Sequence, residues 1–384
     1  QQEDAAKDLE DYLDDLADAQ EDLADDLADA AKDAGEYGSS SEMRDLATSE
    51  RPEYDSRGYP VRRGEVVALD LGEGKLAEAQ RQGFAVVARE RLESLDAEVT
   101  RLSVPDGMDA GEALALARSI APEAAVDLVH YYGLLATQSG SGRGGPGGEL
   151  RRSEGRLTIG MIDTGIVGHA ALRETSIEIR DFSEGAGGIP AAHGTAIASI
   201  LASEGSRTIF AANIFRGQSD RPHTTADSLA RALEWMVANR VPVVNISLSG
   251  PRNAILDRLV QRTIANGTVI VAAAGNGGPT APPAYPAALR NVVAVTAVDR
   301  NNRVYRYANQ GRYIAVSARG VDEPAARVGG GIARYSGTSY ATPHVAAWMA
   351  RCMSERAADT CSANMRREAR DLGEVVVADA REQA

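Results

Sequence analysis

Thiols and aromatic rings are scarce in this chain of 384 residues, which holds two Cys, four Phe and two Trp, with aromatics at 5%. The two cysteines, Cys352 and Cys361, could close a small-loop disulfide in an oxidising compartment. Two free thiols are the alternative. Apolar residues reach 43% and Gly is frequent at 38 positions. That balance suits an α/β protein in which helices and strands approach closely. There is no apolar run of 18 or more, which excludes a membrane-spanning helix. A basic field is also missing, so nothing marks a nucleic-acid partner.

The net charge of -14 is local. Residues 1–35 hold 14 Asp and Glu against Lys7 and Lys32, and the remainder is close to neutral with 41 acids and 39 bases. Leu9, Leu16 and Leu23, joined by Leu13 and Leu27, form one stripe of an acidic amphipathic helix. Such a stripe suits self-association or docking to an envelope partner, and a solvated acidic helix is the plain alternative. Gln1 rather than Met at the start fits a removed export leader or a trimmed beginning.

Residues 36–60 read as a linker rich in Ser, Glu, Gly and Pro. Residues 61–133 then give strand Glu65–Leu71, helix Lys75–Gln82, strands Phe84–Leu92 and Ala97–Val104, helix Ala110–Ile120 and strand Ala125–Tyr131. That βαββαβ order is a split βαβ, ferredoxin-like unit. A Gly-rich linker spans 134–155. From Leu157 strands and helices alternate, with strands at Leu157–Ile162, Thr208–Ile214, Val243–Leu248, Thr268–Ala273 and Val292–Val298. Helices Ala226–Asn239 and Ala254–Asn266 lie between, which implies a mainly parallel sheet covered on both faces.

Candidate chemistry sits in short segments of this second part. Asp163 ends an apolar strand in Ile162-Asp163-Thr164-Gly165. His193 precedes the apolar helical stretch Ile197–Leu201, and Ser339 lies in a Gly-Thr-Ser turn that enters a helix. A serine hydroxyl is a poor nucleophile until a base takes its proton, and the base needs an orienting partner. Asp, His and Ser supply those roles, and this chain order is one in which such triads occur. Asn276, just past strand Thr268–Ala273, is an amide donor suited to a developing oxyanion. Asn245–Gly250 closes another strand. His169, His223 and His344 are alternative histidines, and His344, inside the serine helix, reads as a packing residue. Asn245-Ile246-Ser247 fits a glycosylation pattern but sits in a buried strand.

Together these segments resemble those of the subtilisin-like serine proteases, the subtilases, from roughly Leu157 to Gly373. The stretch Gly337–Ala346 is the most specific. The resemblance implies Ser339 as nucleophile, His193 as general base and then acid, Asp163 as its orienter, and Asn276 with the Ser339 backbone amide as oxyanion hole. It further implies that extended substrate pairs along Ser247, Leu248, Ser249 and Gly250 and along Ala273, Ala274 and Gly275. Ala284 would flank the pocket for an apolar residue before the scissile bond. The 61–133 unit resembles the subtilase propeptide, a chaperone and inhibitor, which implies self-cleavage between about Tyr132 and Gly148. Two departures from the family pattern are Ser249 in Ser-Leu-Ser-Gly and Ser317-Ala318-Arg319-Gly320 downstream.

The reading is therefore an α/β subtilisin-like domain at 156–373 with a mainly parallel sheet. A ferredoxin-like α+β prodomain and the acidic helix precede it, and a tail follows at 374–384. It is expected to be a serine endopeptidase made as a zymogen, acting on proteins or peptides and inhibited by its own 61–133. No cofactor, metal or membrane span is expected, and export to the periplasm or beyond a bacterial cell is. The alternatives are a silent subtilase-fold binding protein, or an esterase or transferase using the same triad.

Overall fold

In a sheet with one wet face apolar and polar residues alternate, yet Val66-Val67-Ala68-Leu69 is apolar throughout and buried throughout. The computed structural model gives the reason. It describes residues 52–134, 150, 155–184, 191–216 and 223–371, all within the unit that begins at Pro52. The acidic helix read over 1–35, most of both linkers and the tail 374–384 lie outside the described residues.

The first elements are β1 (Glu53–Tyr54), β2 (Pro60–Leu69), α1 (Glu73–Arg81), β3 (Ala85–Leu92), β4 (Ala97–Ser103), α2 (Ala110–Ile120) and β5 (Ala125–Leu134). The sheet is antiparallel in the order β5-β2-β4-β3, with β1 added on β2. Helix α2 starts cleanly because Asp109 and Glu112 cap it reciprocally. On one face Val66, Ala68, Leu102, Val126 and Leu128 pack with α1 and α2. On the other, Val67, Leu69, Leu92, Leu95 and Val99 join the core of the second part of the chain. Both faces are covered along the inner end of β2, which is why Val66–Leu69 reads as an unbroken apolar run, whereas the edge strand β3 is exposed from Ala85 to Arg91. Part of the span read as the 36–60 linker is structured: Asp55 accepts from the backbones of Arg57 and Tyr59, closing the β1–β2 hairpin. Its polar turn composition resembles a linker's because both use the same residues.

The second part contains β6 (Leu157–Asp163), β7 (Ser176–Asp181), α3 (Ala192–Ser203), β8 (Ser206–Asn213), β9 (His223–Thr225), α4 (Ala226–Ala238), β10 (Val243–Ile246), β11 (Leu248–Ser249) and α5 (Ala254–Ala265). There follow β12 (Val269–Ala273), β13 (Val293–Val298), β14 (Ile314–Arg319), the hairpin β15 (Glu323–Ala326) and β16 (Ile332–Tyr335), α6 (Thr338–Met353) and α7 (Ala358–Asp371). The main sheet is parallel in the order β14-β13-β12-β10-β6-β8-β7, with helices on both faces. Ile159, Met161, Val243, Val271 and Val295 face α3 and α6. Ile162, Val244, Ile246, Ile270 and Ala294 face α4 and α5. Cys352 and Cys361 are bridged, tying the end of α6 to α7.

The two parts meet on α4 and α5. Glu234 of α4 accepts from the backbone N–H groups of Ser94 and Leu95 at 2.8 and 3.0 Å. Arg101 of β4 contacts Glu65, Glu184 and Asp227 at 3.0, 2.7 and 2.8 Å. Burial alone would raise the Glu184 carboxyl, but Arg101, Arg231 and Arg62 outweigh it and hold it at about 2.

Candidate active site

Strand β6 lies between β10 and β8, at the point where the sheet order reverses direction. Crevices in open parallel sheets form there, beyond the carboxyl ends of the strands. Asp163 ends β6 and is fully buried. Its carboxylate accepts from Thr164 N at 2.6 Å and faces His193 Nδ1 at 2.7 and 3.0 Å. His193 stands in the first turn of α3. Thr164 braces that turn by accepting from Gly194 N at 2.8 Å. A Cβ at position 194 would meet Thr164 O at 2.5 Å, so this approach needs glycine.

Ser339 is buried in the first turn of α6. Its successor Tyr340, also buried, packs against the His193 ring with centroids 5.5 Å apart. Ser339 Oγ and His193 Nε2 are both buried and neither has a hydrogen-bond partner, so no hydrogen bond joins serine to histidine. Pro343 has no N–H to give to the Ser339 carbonyl four residues back. Ser247 Oγ donates to that carbonyl instead at 3.3 Å, and itself accepts from Asn245 Nδ2 at 3.0 Å. The Asn245-Ile246-Ser247 sequence is thus internal wiring, with Asn245 wholly buried.

Asn276 Oδ1 accepts from Thr338 N and Thr338 Oγ1, each at 3.0 Å. That orients the amide with Nδ2 as its donor end, one residue from the nucleophile's backbone. Thr338 Oγ1 also accepts from Gly275 N at 3.2 Å. Asn309 secures the same loop, accepting from Gly277 N at 2.7 Å and donating to Pro282 O at 3.1 Å.

Beside this cluster, β5 leaves its own sheet and enters the second part of the chain. It pairs antiparallel with β11, Leu248 opposite Leu134 and Ser249 opposite Gly133. Its other edge pairs with β9, Tyr131 opposite Thr225 and Tyr132 opposite Thr224. Tyr132 is 1% exposed, and its hydroxyl donates to Pro251 O at 3.2 Å. Gly250 lies beneath the ring and bridges to Tyr285, next to Ala284. Ala273, Ala274 and Gly275 take no part in this pairing among the described residues. Strand β12 pairs with β10 only as far as Ala272, Ala273 pairs with Val295 of β13, and Ala274 and Gly275 lie beyond the strand.

Sequence reasoning brought forward Asp163, His193, Ser339, Asn276 and Ser247–Gly250, and these do gather at one end of the sheet. It passed over β9, Thr164, Thr338 and Asn309. Of these, Thr164 and Thr338 carried a signal, since each adjoins a singled-out residue in a motif. Among the described residues no group of three or more His, Cys, Asp or Glu side chains is placed to hold a metal ion. No described helix is long and apolar enough to cross a membrane.

Comparison with known proteins points to one family. A model of the subtilase family matches residues 155–377. Subtilisin E of Bacillus subtilis is 36% identical over 131 residues, covering 33% of this chain and 34% of that protein. Subtilisin Savinase of Lederbergia lenta is 31% identical over 206 residues, covering 50% of this chain and 73% of that protein. The match therefore spans about a third of Subtilisin E. Fervidolysin from Fervidobacterium pennivorans, a keratinolytic enzyme related to subtilisin, superposes with a TM-score of 0.62. That superposition covers 80% of this chain and 57% of fervidolysin at 18% identity, a likeness of fold alone.

Proposed function

The chain belongs to the subtilase family, and from that premise we propose that it is a serine endopeptidase made as a self-inhibited precursor. Ser339 Oγ attacks the peptide carbonyl while His193 Nε2 takes its proton, and Asp163 holds the imidazole through Nδ1. Asn276 Nδ2 and the Ser339 N–H stabilise the oxyanion. The C–N bond breaks as His193 protonates the leaving amine, and water then releases the acyl group from Ser339.

The observation that carries this reading is strand Tyr131–Leu134 paired between β9 and β11, in the manner of a bound extended peptide. Leu134, where the described part of β5 ends, lies opposite Leu248, the neighbour of Ser247, whose hydroxyl donates to the Ser339 carbonyl. We therefore assign Leu135–Ala136 as the first bond cut, with 61–133 acting as an intramolecular inhibitor. The bridged Cys352–Cys361 pair favours an oxidising, exported setting.

Mass spectrometry of the purified full-length chain tests this. The wild type yields a mature fragment beginning at Ala136, and Ser339→Ala stays whole. A wild-type chain that remains intact while cleaving other proteins, or a fragment starting elsewhere, overturns the assignment.

A further inference from the structure

His344 lies in the middle of α6 with both ring nitrogens facing carboxylates. Nδ1 is 2.8 Å from Glu204 Oε1, and Nε2 is 3.1 Å from Glu323 Oε1. Nδ1 makes the hydrogen bond to Glu204, while Nε2 stands at ion-pair distance from Glu323 without a hydrogen bond, and two carboxylates facing one ring favour its protonated, imidazolium form. Glu204 closes α3, the helix that begins beside His193, and Glu323 opens β15. A second tie joins the same elements, Ala326 N of β15 donating to Ser199 Oγ of α3 at 2.8 Å. The proposed nucleophile and base therefore stand at the starts of two helices that His344 pins together further along.

We infer that His344 is a positioning residue, whose cationic ring clamps α6 to α3 and β15 and so sets Ser339 against His193. The inference rests on the triad proposed above. It accounts for a charge that the reaction itself does not use. The other groups facing Glu204 are Arg319 and Arg351; Arg351 of α6 donates to the Glu204 backbone carbonyl at 2.8 Å, a tie that does not change as the ring titrates. Burial by itself would make the ring less basic, but Glu204 and Glu323 outweigh burial and raise its pKa to about 9. Above that pH the neutral ring keeps one N–H, and one of two largely buried carboxylates loses its partner. The α3–α6 junction then loosens, where small displacements of reacting groups cost rate steeply.

The experiment follows the first-order rate of self-processing of the full-length chain between pH 7 and 10.5, alongside NMR titration of the His344 ring in full-length Ser339→Ala. The ring is expected to titrate near pH 9, and the wild-type rate to fall over the same interval. His344→Gln is expected to process about tenfold more slowly at pH 8, with that alkaline fall gone. Glu323→Gln retains the ring and moves both the titration and the fall to lower pH, and it serves if His344→Gln does not fold. A ring titrating near its ordinary value, or an alkaline fall unchanged in both variants, overturns the inference. A wild-type chain that neither processes itself nor reacts with a fluorophosphonate overturns the protease reading instead, and with it the positioning role, whatever the NMR result.

Discussion

Proline at position 343 shows how a single residue reshapes the demands on a distant one. The Ser339 carbonyl has no helical donor, and Ser247, 92 positions earlier, supplies it. Ser247→Ala removes the donor while leaving the carbonyl buried. The expected result is a loss of about 1–3 kcal/mol in unfolding free energy, read by urea denaturation. Processing should slow with it, since the carbonyl belongs to the nucleophile. A threonine keeps the hydroxyl, so Ser247→Thr is expected to lose less on both counts. At this scale the sequence singled out Asp163, His193, Ser339 and Asn276, each a residue type suited to one chemical need, and the structure brings them to one end of the sheet. The sequence was not legible for Ser247, because its role depends on a helix that arrives much later in the chain. His344 reads as a packing residue in the sequence for the same reason: Glu204 and Glu323 lie far from it in sequence.

Among the elements, those buried on both faces were the easiest to anticipate. Strands β6, β10, β12 and β13 are short apolar runs, and the structure has them within a residue or two of the expected bounds, with Leu248 set off in β11. Strand β7 was missed because it is an edge strand whose residues are mostly exposed, so Ser-Ile-Glu-Ile-Arg-Asp shows no apolar run. Strand β9 is only three residues long, and its pairing partner is β5, some ninety residues earlier. This β9–β5–β11 ribbon depends on Gly250. A Cβ there would stand 2.3 Å from Tyr132 Cδ1, while the Gly250 backbone is held by Tyr285 at 3.0 and 3.1 Å. Gly250→Ala is therefore expected to expel the Tyr132 ring and weaken the seating of β5 by about 1–3 kcal/mol. The check is a double-mutant cycle on processing rate: Gly250→Ala is slow, and adding Tyr132→Ala restores part of the loss because the clash is gone. Simple additivity would refute the contact as the cause.

For the whole molecule, the βαββαβ sheet and the α/β part share one core, and the joint between them has a pH-sensitive point. Burying Val67, Leu69, Leu92, Leu95 and Val99 against α4 and α5 is worth about 1.5–3 kcal/mol for each side chain fully removed from water, an upper range for these partly shared contacts. Where α5 meets β5, Asn253 caps the helix with Oδ1, accepting from Ile255 N and Leu256 N. Its Nδ2 must therefore point the other way, donating to Leu128 O at 2.9 Å and to His130 Nδ1 at 3.0 Å. A ring nitrogen that accepts carries no proton, so His130 is held neutral, with Nε2 facing Asp55 at 3.3 Å. Burial lowers its proton affinity, Arg57 adds to that, and the nearby Asp127 and Asp55 carboxylates only partly offset it. A histidine depressed in this way contributes stability that is present above its unfolded pKa of about 6.5 and is lost as pH falls below it. Acidification is thus expected to loosen β5 from α5 before the Arg101–Glu184 contacts fail, since Glu184 stays ionised down to about 2. Hydrogen exchange on full-length Ser339→Ala is the measurement, with amides of 128–134 exchanging faster at pH 5 than at pH 7 after correction for intrinsic rates. A glutamine at this position would present an acceptor to Asn253 and a donor to Asp55 at every pH. His130→Gln should therefore remove the difference, and a pH effect of the same size in that variant would locate the acid sensitivity in some other group.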